Sequence, residues 1–287
     1  MRKSKETYLQ GLAMMEEAAV EDAGFDCLQL FAHCTGIDRS RLLADPTAPL
    51  TEKQAESFLD AVARRCGGEP LQYILGEWEF YSLPFAVGEG VLIPRADTEI
   101  LVDEALRLLE DVTAPKVADL CSGSGCIAIS IAKNRADATV TAVELSDKAL
   151  GYLRQNIARN QADNVTVRQA DVLAGAGEIT GLDLIVSNPP YIPTADMESL
   201  SKEVHREPVL ALDGGEDGLV FYRTILEKWI TALNPRGMMA FEVGIGQAED
   251  VATLMSQRFE QVYIVPDLNQ VPRVVLGIDI IESNQVI

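Results

Sequence analysis

Asn188-Pro189-Pro190-Tyr191 puts an amide, two rigid backbone carbonyls and an aromatic ring directly after the apolar run Leu182-Asp183-Leu184-Ile185-Val186-Ser187. That run has the length and composition of a buried strand. Two consecutive prolines donate nothing to a sheet ladder and restrict the residue before them, so the strand must stop there. An amide oxygen, a fixed carbonyl and an aromatic face are the groups that hold a flat, amide-like group. The same four residues also serve as a plain strand stop, and their surroundings must decide between the two readings.

A second chemistry-bearing stretch is Cys121-Ser122-Gly123-Ser124-Gly125, between Val117-Ala118-Asp119-Leu120 and a helix expected over 126–134. Glycines at such a junction let backbone approach a ligand and aim helix N-terminal N–H groups at it. Gly123, Gly125 and Ala128 also fit the G-x-G-x-x-A dinucleotide fingerprint. Glu144 lies 19 residues beyond Gly125, at the end of the next expected strand, where an acidic side chain accepts hydrogen bonds from ribose hydroxyls. Asp171 follows the third strand and suits either an adenine amino group or a turn. With the neighbouring Asp119, Val172 and Asn188, the residues expected to bind such a ligand are Cys121, Ser122, Gly123, Ser124, Gly125, Glu144 and Asp171. The pattern points to a nucleoside-containing cofactor and does not separate NAD from S-adenosylmethionine.

β-α-β alternation after Pro115 predicts a doubly wound parallel sheet. Strands are expected at 117–120, 139–143, 165–167, 182–187, 238–243, 262–265 and 274–278. Helices are expected at 126–134, 147–160, 218–233 and 247–259. Cys121, Glu144, Asp171 and Asn188 each follow one strand, at the edge where open α/β sheets bind ligands. Residues 192–215 carry no clear element, which at that length marks a binding loop, a lid or disorder. The first 70 residues read as helices: one closed by Gly24, a second from Phe25 to about Gly36, and a third opened by a Thr51/Gln54 capping box and stopped by Gly67-Gly68. Only a short turn is expected at Ser40–Leu43. Trp78 to Val87 reads as an aromatic-rich hairpin, and Asp97 or Thr98 as the cap of the next helix.

The chain has 24 Lys and Arg against 44 Asp and Glu, a formal net charge of −20 over 287 residues. Such a charge repels nucleic-acid phosphates on average, so no direct DNA binding is expected. Five cysteines without a C-x-x-C pair and two scattered histidines indicate neither a disulfide framework nor a metal site. No apolar run approaches the roughly 20 residues that span a bilayer, and no signal-peptide pattern opens the chain. A soluble cytoplasmic protein is expected.

Several stretches together resemble the PrmC/HemK family of release-factor glutamine methyltransferases. They are Pro70-Leu71-Gln72-Tyr73-Ile74-Leu75-Gly76, Leu92-Ile93-Pro94-Arg95-Ala96-Asp97-Thr98-Glu99, Ile185 through Pro193, Glu207-Pro208, Ala211 through Gly215, Asp217-Gly218-Leu219 and Arg273-Val274-Val275. The family's glycine loop usually opens with Gly-Thr where this chain has Cys121-Ser122. Ala96 stands for a frequent proline, Glu144 for a frequent aspartate, and Asn269-Gln270-Val271-Pro272 for a Gly-containing turn. The resemblance implies a helical substrate-recognition domain (1–75), a β-hairpin linker (76–93) and a seven-stranded, Rossmann-like class I methyltransferase domain with one antiparallel strand (94–287). It implies S-adenosylmethionine as cofactor, class 1 peptide chain release factors as protein substrate, and no metal. Asn188, Pro189 and Tyr191 become the catalytic residues. Pro190, Arg95 and Glu99 join them in the substrate site, although the last two also suit a surface ion pair at i, i+4 spacing. An adenine-N6 DNA methyltransferase would use the same Asn-Pro-Pro-Tyr acceptors but needs a basic track. An NAD-dependent oxidoreductase leaves that motif idle, and a non-catalytic binding module leaves the glycine loop idle.

Overall fold

The computed structural model describes residues 2–281; Met1 and residues 282–287, the end of the expected 94–287 domain, lie outside the described residues. The chain divides into two compact units. The smaller comprises residues up to Glu77 together with Ser201–Arg206, and the larger comprises Trp78–Leu200 and the chain from Glu207 onward.

In the smaller unit the order is β1 (Arg2–Lys3), α1 (Ser4–Glu17), α2 (Ala23–Thr35), α3 (Arg39–Ala44), β2 (Pro49–Leu50), α4 (Glu52–Cys66) and α5 (Leu71–Leu75). The Thr51/Gln54 capping box forms as the sequence dictates, with both reciprocal bonds present. Gly24 does not close the first helix: α1 ends at Glu17 and Gly24 lies in the first turn of α2. The expected turn at 40–43 is a helix of its own, because the Asp38 carboxylate accepts from Arg41 N at 2.8 Å and caps it. Phe31 and Phe58 meet edge to face at 5.0 Å between α2 and α4. Arg65 is buried with Asp26 (2.6 Å) and also pairs with Glu203 (2.6 Å), which holds the 201–206 segment in this unit.

The larger unit opens at Trp78, within the hairpin of β3 (Glu77–Phe80) and β4 (Leu83–Ala86), followed by α6 (Glu99–Leu108). The alternation then runs β5 (Lys116–Leu120), α7 (Cys126–Asn134), β6 (Thr139–Glu144), α8 (Asp147–Asn160), β7 (Val165–Gln169) and β8 (Leu182–Ser187). It closes with α9 (Val220–Lys228), β9 (Leu233–Glu242), α10 (Ala248–Met255), β10 (Phe259–Pro266) and β11 (Pro272–Ile280). Seven strands form one sheet in the order β10-β11-β9-β8-β5-β6-β7, and β11 runs antiparallel to both its neighbours. β5 alternates its side chains between the two faces: Val117 enters the apolar layer on one side, Ala118 and Leu120 the layer on the other. The sheet is covered on both faces, as parallel strands require.

The hairpin is fastened to α8. The buried Asn156 amide accepts from Ala86 N (2.7 Å) and donates to Ala86 O (3.1 Å) and to Ser124 O (2.9 Å). One side chain therefore satisfies backbone groups of the hairpin and of the glycine loop. Among the described residues no helix is long and apolar enough to cross a membrane. Asn156→Ala strands three buried backbone groups, so it should cost about 2–4 kcal/mol in urea unfolding and weaken ligand binding at the glycine loop. Unchanged stability would show that water replaces the amide without loss.

Candidate active site

The parallel register of β7, β6, β5 and β8 brings four strand ends to one edge. Into the space above them opens a cavity of about 260 Å³, lined by Cys121, Ser122, Gly123, Ser124, Glu144, Asp171, Val172, Asn188, Pro190 and Arg95 among others. These residues, noticed separately in the sequence, are thus brought together. Asp119, Gly125, Pro189, Tyr191 and Glu99 do not line it. Asp119 lies fully buried beneath the glycine loop, where its Oδ2 accepts from Ala128 N (3.1 Å). Gly125 is the N-cap of α7, in the left-handed region at φ 82°.

Glu144 organises the loop. Its Oε2 accepts from Gly123 N (2.8 Å), and its Oε1 accepts from Leu145 N and Ser146 N (2.8 Å each). A carboxylate has about four lone-pair sites, so one remains for a ligand hydroxyl. At Gly123 (φ 55°) an added Cβ would meet no atom within 4 Å, which leaves bare backbone at the cavity wall. Cys121 sits at φ 60°, the left-handed conformation that favours glycine, at the position where the resembled family has one. Asp171 serves the turn through its Oδ1, which accepts from Leu173 N (2.8 Å), and also lines the cavity. Burial pushes the Cys121 thiol well up and that of Cys126 up to about 12, so both stay protonated.

The turn after β8 is clamped by residues far away in sequence. Gln247 Nε2 donates to Tyr191 O (2.8 Å) while its Oε1 accepts from Gly244 N (3.0 Å). Ile192 N donates to Leu212 O (2.9 Å) and Gly214 N to Ile192 O (2.8 Å), so the 192–215 stretch folds back onto the motif. A Cβ at Gly218 (φ 74°) would lie 2.3 Å from Tyr191 O, and one at Gly214 would lie 2.7 Å from Tyr191 Cα. Burial pushes the Tyr191 hydroxyl up to about 12, which rules it out as a base near neutrality. Asn188 Nδ2 donates to Thr98 Oγ1 (3.2 Å).

Glu99 neither lines the cavity nor pairs with Arg95: its Oε1 accepts from Tyr81 N (2.7 Å) in the hairpin turn. Tyr81 and Ser82 both have positive φ, as a two-residue primed turn demands, and Glu99 steadies that turn from α6. Arg95 pairs instead with the buried Glu207, which also accepts from Ile93 N (2.9 Å), so Pro208, Leu210 and Ala211 stand at the cavity. Sequence reasoning missed Thr98, Glu207 and the buried Glu242 as site residues. The Thr98–Asn188 and Glu207–Ile93 contacts span 90 and 114 positions along the chain, and no local pattern encodes such pairings.

Residues 6–76 match the family model of the PrmC N-terminal domain, and residues 97–265 that of the methyltransferase small domain. The release factor glutamine methyltransferase of Geobacter sulfurreducens is 44% identical over 265 residues, covering 92% of each chain. The chain belongs to the release factor glutamine methyltransferase family. The family's Moorella thermoacetica member is 39% identical over 246 residues, with 85% of this chain and 87% of that one covered. Among solved structures, the hMettl16 catalytic domain in complex with a 3′UTR hairpin matches with a TM-score of 0.57 at 15% identity. It covers 76% of this chain and 81% of that one, and shows the fold alone.

Two expectations follow from this geometry. Gly218→Ala should displace the Tyr191 carbonyl or break the Gln247 clamp, lowering turnover at least tenfold with a smaller loss of stability; a kinetic and thermal comparison with wild type checks it. Burial pushes the Glu242 carboxyl up to about 7 from the ordinary 4.5. Its contribution to stability is therefore full below about pH 4.5 and lost as pH rises through 7. Glu242→Gln should gain about 3 kcal/mol relative to wild type between pH 5 and pH 8 in urea unfolding. A gain of the opposite sign would mean the carboxylate is better solvated by its neighbours than burial implies.

Proposed function

We propose that this chain transfers a methyl group from S-adenosylmethionine to the side-chain nitrogen of a glutamine, the one in the Gly-Gly-Gln loop of class 1 peptide chain release factors. One observation carries the reading: Asn188 and Pro190 share a cavity with the glycine loop and Glu144. The names of the relatives point to the same substrate. A cytoplasmic site of action fits it.

The residues present suit the cofactor. Glu144 offers an acceptor for ribose hydroxyls, Asp171 keeps one oxygen for an exocyclic amine, and Gly123 leaves room for close approach. Asp119 supports them from below through α7. S-adenosylmethionine, when bound, supplies an electrophilic methyl carbon on a sulfonium. Cys121 and Cys126 lie at the same cavity as neutral thiols, so neither offers a thiolate to compete for that carbon.

A glutamine side-chain nitrogen is a poor nucleophile because its lone pair is delocalised into the carbonyl. Asn188 Oδ1 and the Pro189 carbonyl accept its two N–H bonds, raise its electron density and align it with the methyl carbon. The rigid Pro189-Pro190 backbone fixes that direction, and Tyr191, outside the cavity lining and held through its carbonyl by Gln247, would wall the amide plane where the substrate loop enters. The methyl carbon would pass from the sulfonium to this nitrogen, leaving a neutral thioether, and the amide nitrogen would then give its extra proton to water. Orientation supplies most of the acceleration, for which about 7–11 kcal/mol is available in the best cases. Arg95, tied to Glu207, keeps the 208–211 stretch against the cavity where the substrate loop enters.

Incubation with purified release factor and labelled S-adenosylmethionine, followed by mass mapping, should place the label on the Gly-Gly-Gln glutamine. Label on an oligonucleotide or on another residue defeats the reading. Asn188→Ala should lose nearly all turnover while binding the cofactor as wild type does; retained turnover removes Asn188 from its role.

A further inference from the structure

Residues 201–206 belong to the smaller unit, although the chain on either side of them belongs to the larger one. They lie inside the 192–215 stretch, whose regular structure amounts to three short 3-10 turns, Thr194–Ser199, Val204–Arg206 and Val209–Ala211. Turns of that kind open easily unless something outside them holds on. Within the smaller unit the holder is Arg65, in the last turn of α4. Its guanidinium is buried, and a buried cation must be paired. Nε meets Asp26 Oδ2 of α2 at 2.6 Å, Nη2 meets Glu203 Oε1 at 2.6 Å, and Nη1 donates to Glu69 O at 3.4 Å. Arg206 Nη2 adds a bond to Gly67 O at 3.3 Å. A Cβ at Gly68 (φ 82°) would lie 3.3 Å from Lys202 Cβ, so the segment packs directly on the residues that end α4.

Within the larger unit the holder of the same stretch is the buried Glu207, which accepts from Ile93 N (2.9 Å) and pairs with Arg95. Pro208, Leu210 and Ala211 follow it at the cavity. Glu203 and Glu207 are four residues apart, and the turn between them is closed. His205 N donates to Ser201 O (3.0 Å) and Arg206 N to Glu203 O (2.9 Å). A closed turn with a carboxylate fastened at each end has little slack. We infer that residues 201–206 are a strap by which the helical unit holds the 207–211 wall of the cavity, with Arg65 and Glu203 as its positioning residues. Neither lines the cavity, and both act through Glu207 and the residues after it. The inference deepens the function proposed above and rests on it for its kinetic part: the strap couples the helical unit to the wall where the substrate loop enters. Such coupling is reciprocal, so whatever steadies the wall also steadies the end of α4.

Backbone amide exchange, followed by mass spectrometry on the full chain, tests the strap. The double variant Glu203→Ala/Arg206→Ala removes both grips and leaves the Arg65–Asp26 pair, so the helical unit should stay folded. Without ligand, exchange at residues 209–213 should be roughly fivefold faster in the double variant than in wild type, the scale of one half-exposed ion pair. Adding S-adenosylhomocysteine to wild type should slow exchange at 209–213 and also at Gly67, Gly68 and Glu69. In the double variant the first effect should remain and the second vanish. Glu203→Gln keeps an acceptor for Arg65 and should recover most of the wild-type pattern. In methyl transfer the double variant should raise KM for the release factor roughly fivefold with kcat nearly unchanged. Equal exchange at 209–213 in both proteins overturns the inference, as does a wild-type α4 end indifferent to bound ligand. If the wild-type chain binds no S-adenosylhomocysteine or methylates no glutamine, the proposed function falls, and exchange at 209–213 in the double variant still decides the strap. Should the double variant lose its fold, Glu203→Ala alone decides.

Discussion

Parallel strand pairing is the constraint on which the rest depends. Parallel neighbours share a direction, so β7, β6, β5 and β8 release their chains at one edge and nowhere else. Glu144, Cys121 and Asn188 reach that edge because each lies at or just past a strand end, and Asp171 follows at a remove of two residues. The antiparallel β11 serves the same edge from the opposite direction. Its first residues lie beside the last of β9, which delivers Arg273 next to Glu242 without any further crossover. A site assembled this way needs no long-range loop to carry its polar groups, and its geometry inherits the stiffness of the sheet.

A strand that ends in two prolines creates a second problem, since the backbone beyond it has left the ladder. Buried carbonyls need partners. Here they come from Gln247 at the start of α10 and from the returning 192–215 stretch, which closes against Tyr191 through Gly214 and Gly218. That stretch is shaped by short turns, with the buried Glu207 as its anchor beside Ile93 and Arg95. The motif is consequently rigid on both sides: proline geometry within it, hydrogen bonds and close glycine contacts around it.

The electrostatics of the site run against the charge of the whole chain. A net charge of −20 spreads over the molecule, yet the carboxyls nearest the cavity are individually fastened. Glu144 is bound by three backbone N–H groups, Glu207 by Arg95 and Ile93 N, and Asp171 by Leu173 N. Asp119 and Glu242 are buried, and burial pushes both up to about 7. A cavity walled by fastened acceptors and neutral thiols suits a cationic, nucleoside-bearing ligand.

Local chemistry alone determined much of this protein. The α7 and α8 helices were legible to the residue, because Ser146 caps one and a glycine opens the other. The Thr51/Gln54 box, the Pro-Pro strand stop and the alternation of strands and helices were legible for the same reason: each rests on residues a few positions apart. The helix at 39–44 was underestimated because one exposed Asp38 cap decides it. The i, i+4 spacing of Arg95 and Glu99 suits an ion pair, but the folded hairpin turns Glu99 to Tyr81 N and Arg95 pairs with Glu207. Thr98, Glu207 and Gln247 acquire their partners dozens of positions away. Hydrogen bonds of that reach depend on which strands become neighbours, and strand order is settled by packing both faces of the sheet at once. The residue types therefore named the chemistry, and the tertiary structure chose which of them hold it in place.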